Sequence, residues 1–247
     1  MQSQQAISAI PDFQPLYKQV HTVLVKRIAN GDWGPGQALP SEQALALELG
    51  VSQGTVRKAM DALAAQSLIV RQQGKGSFVA EHTQEHSLYR FFRISRPAPD
   101  GARVTPELGA AKIKRRPASL VEQAKLQLDK GDEIVEIRRT RLVDQSPAIV
   151  EKIILPLALF PDIDSNEMLP NTLYSLYQGV YGISVAGVRE ELRAVLANKR
   201  DARSLGVASG SPLLQIDRVA IGLDDRHVEW RVSRCDTRHV VYAVDVN

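Results

Sequence analysis

Arg139 and Arg141 stand two residues apart in 133–143, where apolar and polar residues alternate as on a strand. On a strand that spacing puts both guanidiniums on one face, a geometry suited to gripping a phosphate or carboxylate through paired hydrogen bonds. Asp144-Gln145-Ser146-Pro147 marks a hairpin. If 145–147 form a three-residue loop, Arg141 falls opposite Glu151 on the returning strand, so the residues fit either an anion clamp or an ordinary cross-strand ion pair. Thr172 can open a helix whose free N–H groups attract an anion, or serve as a plain cap. A second group suits a polyanion. The net charge is only +3, but Arg57, Lys58, Arg71 and Lys75 lie between 57 and 75 against the single acid Asp61, which is where a phosphate backbone would be met. Arg57 can reach a phosphate or a guanine edge and Gln53 can read adenine. Lys75, between Gly74 and Gly76, lets the backbone approach a groove closely.

Other reactive types lead nowhere. Cys235 is the only cysteine, so no internal disulfide and no zinc cluster are expected, and it reads as an inert, half-buried strand residue. His82 and His86 have helical metal-ligand spacing but no third ligand, so they read as a solvated linker and no metal is expected. No nucleophile–base pair and no phosphate-cradling glycine loop after a strand are found. No enzyme, no catalytic residue and no cofactor are therefore expected.

The elements that must hold these residues can be read along the chain. Leu16, Val20, Leu24 and Ile28 recur at helical spacing and predict a helix over 15–30, ended by 31–36 with three glycines and a proline. Trp33 is expected to pack under that turn. Ser41 caps a second helix running to about Leu49, with Glu42 suited to its positive end. Gly50-Val51 then separates it from Ser52, cap of a third helix to about Gln66, whose core face is Val56, Met60 and Leu63. Glu42 and Asp61 read as cap and surface charge. Segments 68–71 and 77–79 around a Gly-rich basic tip predict a hairpin. Two short helices joined by a tight turn form a helix-turn-helix, with Thr55, Arg57 and Lys58 on the outward face of its second helix, and the hairpin adds a wing. The rest reads as mixed, with strands at 88–94, 104–114, 133–143, 148–155, 213–223 and 228–240 and helices at 120–128, 172–179 and 198–205. The hairpin signal makes the sheet largely antiparallel. Segment 183–197 carries a helical spacing of Val185, Val188, Leu192 and Val195; it is assigned as a strand on the family resemblance of this second half. The fold class is α+β, divided into a winged helix-turn-helix at 1–80, a linker at 81–87 and a second domain at 88–247.

Residues 14–80 resemble the DNA-binding domain of the GntR family of bacterial regulators. The resemblance is carried by Pro15-Leu16-Tyr17, Gly31-Asp32-Trp33-Gly34-Pro35-Gly36, Leu39-Pro40-Ser41-Glu42, Gly50-Val51-Ser52, Thr55-Val56-Arg57 and Gln73-Gly74-Lys75-Gly76-Ser77-Phe78-Val79. It implies a DNA-facing surface of Ser41 and Gln43, then Ser52, Gln53, Gly54, Thr55, Arg57 and Lys58, then Arg71, Gln73, Gly74, Lys75 and Gly76. Gln43 and Gln53 stand where the family usually carries arginines, and Gly54 replaces a larger residue, which puts the operator in question. Residues 88–247 resemble the UTRA effector-binding domain of the HutC subfamily, through Ile137-x-Arg139-x-Arg141, Asp144 with Pro147, Glu151, Leu155-Pro156, Leu173-Tyr174, Tyr181-Gly182, Leu205-Gly206, Pro212-Leu213-Leu214 and Val228-Glu229. That likeness implies a chorismate-lyase-like fold and an effector pocket formed by Arg139, Arg141, Glu151, Thr172, Tyr174 and Glu229. After Glu229 the usual aromatic stretch is replaced, and the added Arg231 and Arg234 either favour an acidic ligand or form a solvated strand face.

The implied function is transcriptional repression, released by a small anionic effector, a phosphosugar or a carboxylate. The alternatives are a constitutive DNA-binding protein with an unresponsive second domain, or an enzyme of chorismate-lyase-like fold. The partners expected are double-stranded operator DNA, the effector and a second copy of the chain, since a homodimer doubles the phosphate contacts. A start without basic and apolar leader regions, and no apolar run near the ~18 residues a bilayer requires, place the expected home in the cytoplasm with no membrane partner. Effector identity, operator and regulated genes are not encoded in these signals.

Overall fold

The computed structural model describes residues 14–82, 91–97, 101–165 and 169–244. Helices α1 (Leu16–Ala29), α2 (Glu42–Leu49) and α3 (Gln53–Ala65) bring their apolar stripes into one core, Val20, Leu24, Leu45, Val56, Met60 and Leu63, closed by Trp33, Leu39 and Ile69. Their starts are set locally. The Ser41 hydroxyl accepts from Ala44 N at 3.1 Å and that of Ser52 from Thr55 N at 3.2 Å, satisfying N–H groups that the first turn leaves open. Gly50, at φ +66°, supplies the left-handed residue that ends α2. Strands β1 (Ile69–Gln72) and β2 (Gly76–Val79) form the expected hairpin.

A single six-stranded antiparallel sheet dominates the rest: β4 (Glu107–Pro117), β5 (Glu133–Val143), β6 (Ser146–Pro156), β7 (Val185–Leu196), β8 (Pro212–Gly222) and β9 (His227–Cys235), in the order β4-β5-β6-β9-β8-β7. With α4 (Leu120–Leu126) and α6 (Lys199–Leu205), a strand, a short helix and a hairpin occur twice in the same chain order, and the copies meet where β6 pairs with β9. Period two gives each strand two faces. One packs Ile134, Ile154, Val219 and Trp230 under α4, and Leu213 under α6. The other is covered by α5 (Leu173–Tyr181) and by β3 (Ile94–Ser95) paired with β10 (Val241–Tyr242). On that face two apolar clusters, one around Ile137, Ile153 and Tyr177 and one around Ile94, Ile149 and Ile216, flank a polar middle.

Several boundaries differ from expectation. β4 starts at Glu107 rather than 104 and runs to Pro117, because its ladder with β5 continues to Glu133. β9 stops at Cys235 instead of 240: the Asp236 carboxylate accepts from Arg238 N at 3.2 Å and bends the chain into a turn. Of the strand expected at 88–94 only Ile94–Ser95 forms; Phe91 has helical backbone, and 88–90 lie outside the described residues. Segment 183–197 does form a strand, Val185–Leu196, because β8 offers it a ladder along its whole length. Cys235 is fully buried rather than half-buried. His82 is no solvated residue: its ring is buried, with Nε2 accepting from Val185 N at 3.1 Å. His86 and 83–87 lie outside the described residues.

Candidate functional site

The sheet registers assemble the polar middle. Arg139 of β5 sits across from Glu151 of β6, which sits across from Ser233 of β9. Two positions along, Arg231 of β9 is level with Arg218 of β8, and Arg218 with Glu190 of β7. Arg139 Nε donates to Glu151 Oε2 at 2.6 Å, and Arg231 NH1 and Ser233 Oγ reach Glu151 Oε1 at 3.3 Å. Arg231 also holds Glu229 through two bonds, 2.9 and 2.7 Å, while Arg218 Nε donates to Glu190 Oε1 at 2.7 Å. Burial by itself would raise the Glu151 pKa, but Arg139, Arg231 and Arg141 outweigh it and hold the carboxyl well below its usual range.

Arg141 is placed differently. Its NH2 donates to Pro106 O at 3.0 Å and to Asn171 Oδ1 at 2.9 Å, its NH1 lies 3.7 Å from Glu151, and its buried Nε has no hydrogen-bond partner among the described residues. Burial, reinforced by Arg139 and Arg231, lowers its pKa to about 10 against the pull of Glu151. It remains a cation at neutral pH, and the least compensated of the group.

These side chains line a cavity that is partly open to solvent. Arg139, Arg141, Arg218 and Arg231 face it with Asn171, Thr172, Tyr174, Phe91 and Phe92, and no carboxylate is among the described residues that line it. Four of the six expected pocket residues are thus together: Arg139, Arg141, Thr172 and Tyr174. Glu151 and Glu229 stand behind the arginines instead. Glu151 borders an adjoining chamber. Glu229 is fully buried and accepts the Tyr174 and Tyr177 hydroxyls at 3.2 and 2.7 Å besides Arg231, so its role is to fix the arginine. Burial and Glu229 push the Tyr174 hydroxyl up to about 12, which leaves it a neutral donor. Thr172 does open α5, but its hydroxyl bonds Ser175 Oγ at 3.1 Å and caps no backbone N–H.

The pairing of Arg141 opposite Glu151 is not found. Asp144 and Gln145, at φ +50° and +62°, make a two-residue turn, and a bulge next to Arg141 brings Arg139 opposite Glu151. Of the two later arginines, Arg231 lines the cavity, whereas Arg234 lies on the opposite face with Asp201 at 2.6 Å. Arg218 was missed, although it stands between Ile216 and Ala220 on the inward parity of β8.

A second surface is built by α2, α3 and the wing. Gln43, Gln53, Gly54, Arg57, Lys58 and the wing residues Arg71, Gln73, Gly74, Lys75 and Gly76 are exposed, and Thr55 is half-buried. The Ser41 and Ser52 hydroxyls serve the caps described above. Two arginines carry partners that their spacing did not announce. Glu42 accepts from Arg57 Nε at 2.9 Å and from Arg71 NH2 at 3.5 Å, and Asp61 lies 2.7 Å from Arg71. Lys58 sits 4.2 Å over the Tyr17 ring.

The two sites are connected. α5, whose first turn borders the cavity, carries Gln178 near its other end. The Gln178 side chain donates to Ala80 O at 3.2 Å and accepts from His82 N at 2.7 Å, just past β2. Phe91, farther along the same stretch, lines the cavity, packs edge-on against Tyr174 and accepts from Arg218 NH2.

Comparison with known proteins matches residues 103–240 to the UTRA domain and residues 16–79 to the gntR family of bacterial regulatory proteins. The mannosyl-D-glycerate transport/metabolism system repressor MngR of Escherichia coli is 29% identical over 91% of this chain and 92% of its own. The histidine utilization repressor of Pseudomonas putida is 28% identical over 83% of this chain and 81% of its own. Among solved structures, a ligand-binding domain from Bordetella bronchiseptica superposes with a TM-score of 0.57 at 29% identity, over 64% of this chain and 99% of that one. YydK of Bacillus subtilis shares the fold along 93% of this chain and 99% of its own, with a TM-score of 0.57 at 19% identity.

Proposed function

Because the chain belongs to the UTRA domain family and carries a gntR-family DNA-binding segment ahead of that domain, we propose that its effector is a small anion seated at Arg141 and Arg139, and that this anion releases it from its operator. The family is one of transcriptional regulators, and the protein is a DNA-binding repressor. One observation carries the reading of the site: a buried guanidinium with an unbonded Nε faces a cavity bordered by four arginines and no carboxylate among the described residues. An anion there gains charge-assisted hydrogen bonds in a low dielectric and completes the bonding of Arg141. MngR bears the name of a glycerate conjugate, itself a carboxylate, which agrees with an anionic ligand. The test is a mobility-shift titration in which a stabilising anion, found by thermal shift, displaces operator. An anion at a hundred times its Kd should add about 2.7 kcal/mol to stability.

The reading divides the chain as expected from sequence, with DNA bound by 1–80, a linker at 81–87 and effector binding and dimerisation in 88–247, in the cytoplasm. On the DNA side, Arg57→Ala should weaken operator binding by roughly 1–3 kcal/mol with the fold intact, since the side chain is exposed and its partner Glu42 is a surface carboxylate. Lys75→Ala should weaken all sequences more evenly and flatten the salt dependence. An unchanged operator affinity for the first, or an unchanged salt slope for the second, removes that residue from the interface. A homodimer is expected because one winged domain offers few phosphate contacts. Light scattering that gives a monomer mass at micromolar concentration would refute it.

A further inference from the structure

A second chamber adjoins the cavity, and Phe92, Arg218 and Arg231 border both. The first chamber is the anion seat just proposed, and the assignment of the second rests on that reading. The second has a mixed wall: Ile94, Ile149, Ile216 and Cys235 make one apolar side, and Arg93, Glu151, Arg218 and Arg231, held in ion pairs with one another or with Glu190 and Glu229, border the rest. Its hydroxyls are already engaged. Ser233 Oγ donates to Glu151 Oε1 at 3.3 Å and Tyr242 OH donates to Glu190 Oε2. A polyol lying against Ile94, Ile149 and Ile216 would leave hydroxyls facing methyl groups, which is unfavourable, whereas a hydrocarbon body on that side would gain by leaving water.

Charge narrows the head group as the wall narrows the body. Under the two chambers the guanidiniums of Arg139, Arg141, Arg218 and Arg231 meet the carboxylates of Glu151, Glu190 and Glu229, all with side chains at most 10% exposed. Arg93, 3.8 Å from Glu190 at the rim, is 35% exposed and screened by water. Among the described residues, four buried guanidiniums against three carboxylates leave one buried positive charge uncompensated. A carboxylate brings one negative charge, a phosphate monoester about 1.5 to 2 at neutral pH. We propose that the effector is a carboxylate on a compact apolar body, an aromatic or branched aliphatic acid, with its head at Arg141 and its body against Ile149 and Ile216.

Calorimetric titration of the full chain tests this with straight-chain acids from acetate to pentanoate, phenylacetate, gluconate and glucose 6-phosphate. The Kd should tighten about fourfold with each added methylene until the chamber is full. Phenylacetate should bind roughly tenfold or more tighter than gluconate, which has the same head on a polyol body, and tighter than glucose 6-phosphate. Ile216→Phe should weaken phenylacetate and spare acetate, with the ligand-free unfolding temperature reporting that the variant is folded; the acid series itself needs no variant. A flat series, apolar acids that do not bind at millimolar concentration, or gluconate or glucose 6-phosphate binding as tightly as phenylacetate overturns the inference. Repeating the tightest probe on Arg141→Ala separates the two readings: lost binding keeps the anion seat whatever the body, and retained binding removes the seat itself.

Discussion

Glu151→Ala should lower the unfolding temperature by roughly 6–20 °C, the largest effect expected of any single substitution near the cavity. The carboxylate is the common partner of three arginines, bonded by Arg139 and Arg231 and 3.7 Å from Arg141. Removing it leaves buried guanidiniums facing one another, and breaking a buried pair in this way costs about 3–5 kcal/mol. In a chain of this size each kcal/mol is worth about 2–4 °C. The sign with pH follows from the same contacts. The folded carboxyl titrates well below its usual value of 4.5, so its contribution is whole above that value and is lost as the pH falls through the acid range below it. Thermal melts of the wild type and Glu151→Ala should therefore draw steadily together as the pH falls below about 4.5. A melting temperature for the variant within about 2 °C of wild type at neutral pH would mean that the arginines find other partners.

Arg141→Ala should give a protein that binds operator as before and no longer lets go. Unlike Glu151, Arg141 is a liability to the ligand-free fold, repelled by Arg139 and Arg231 and with one N–H unmade; without it Glu151 keeps its bonds to the other two arginines. The anion loses its least compensated partner. Effector binding typically changes the affinity of a coupled site by several-fold to about a hundredfold, and that whole factor should vanish in the variant while the operator Kd without effector stays put. Mobility shifts with and without the anion measure both quantities. If the variant is still released by the anion at an unchanged concentration, the cavity is not the effector site.

Local chemistry decided what could be read from the sequence. The helix starts at Ser41 and Ser52, the stop at Gly50 and the wing tip at Gly74 and Gly76 depend on one or two side chains each, and all were legible. So was the shared face of Arg139 and Arg141, which needs only the period of a strand. Register was not. Asp144 and Gln145 adopt left-handed backbone without glycine, so nothing marked a two-residue turn, and the partner of Glu151 moved from Arg141 to Arg139. Arg218 and Arg231 meet only because β8 and β9 pair next to β6, and their repulsion is answered by Glu229 two residues before Arg231 and by Glu190 28 residues before Arg218. Glu42 shows the same limit on the DNA side: it reads as a helix-start acid, and only the folding of α3 and β1 around it makes it the partner of Arg57 and Arg71.

The contact of α5 with the segment after β2 also bounds how strongly this repressor can be switched. A ligand shifts an equilibrium only by the difference in its interactions with the two states. If release of DNA is transmitted by undoing the two Gln178 bonds and the bond from Val185 N to the His82 ring, the free energy at stake is that of three buried hydrogen bonds, at about 0.5–1.5 kcal/mol each. The dynamic range of induction then lies between roughly tenfold and two-thousandfold. A gene under this control would be turned up in proportion to its inducer over that span, and any greater ratio measured in a reporter strain would have to come from cooperation between copies or between operators.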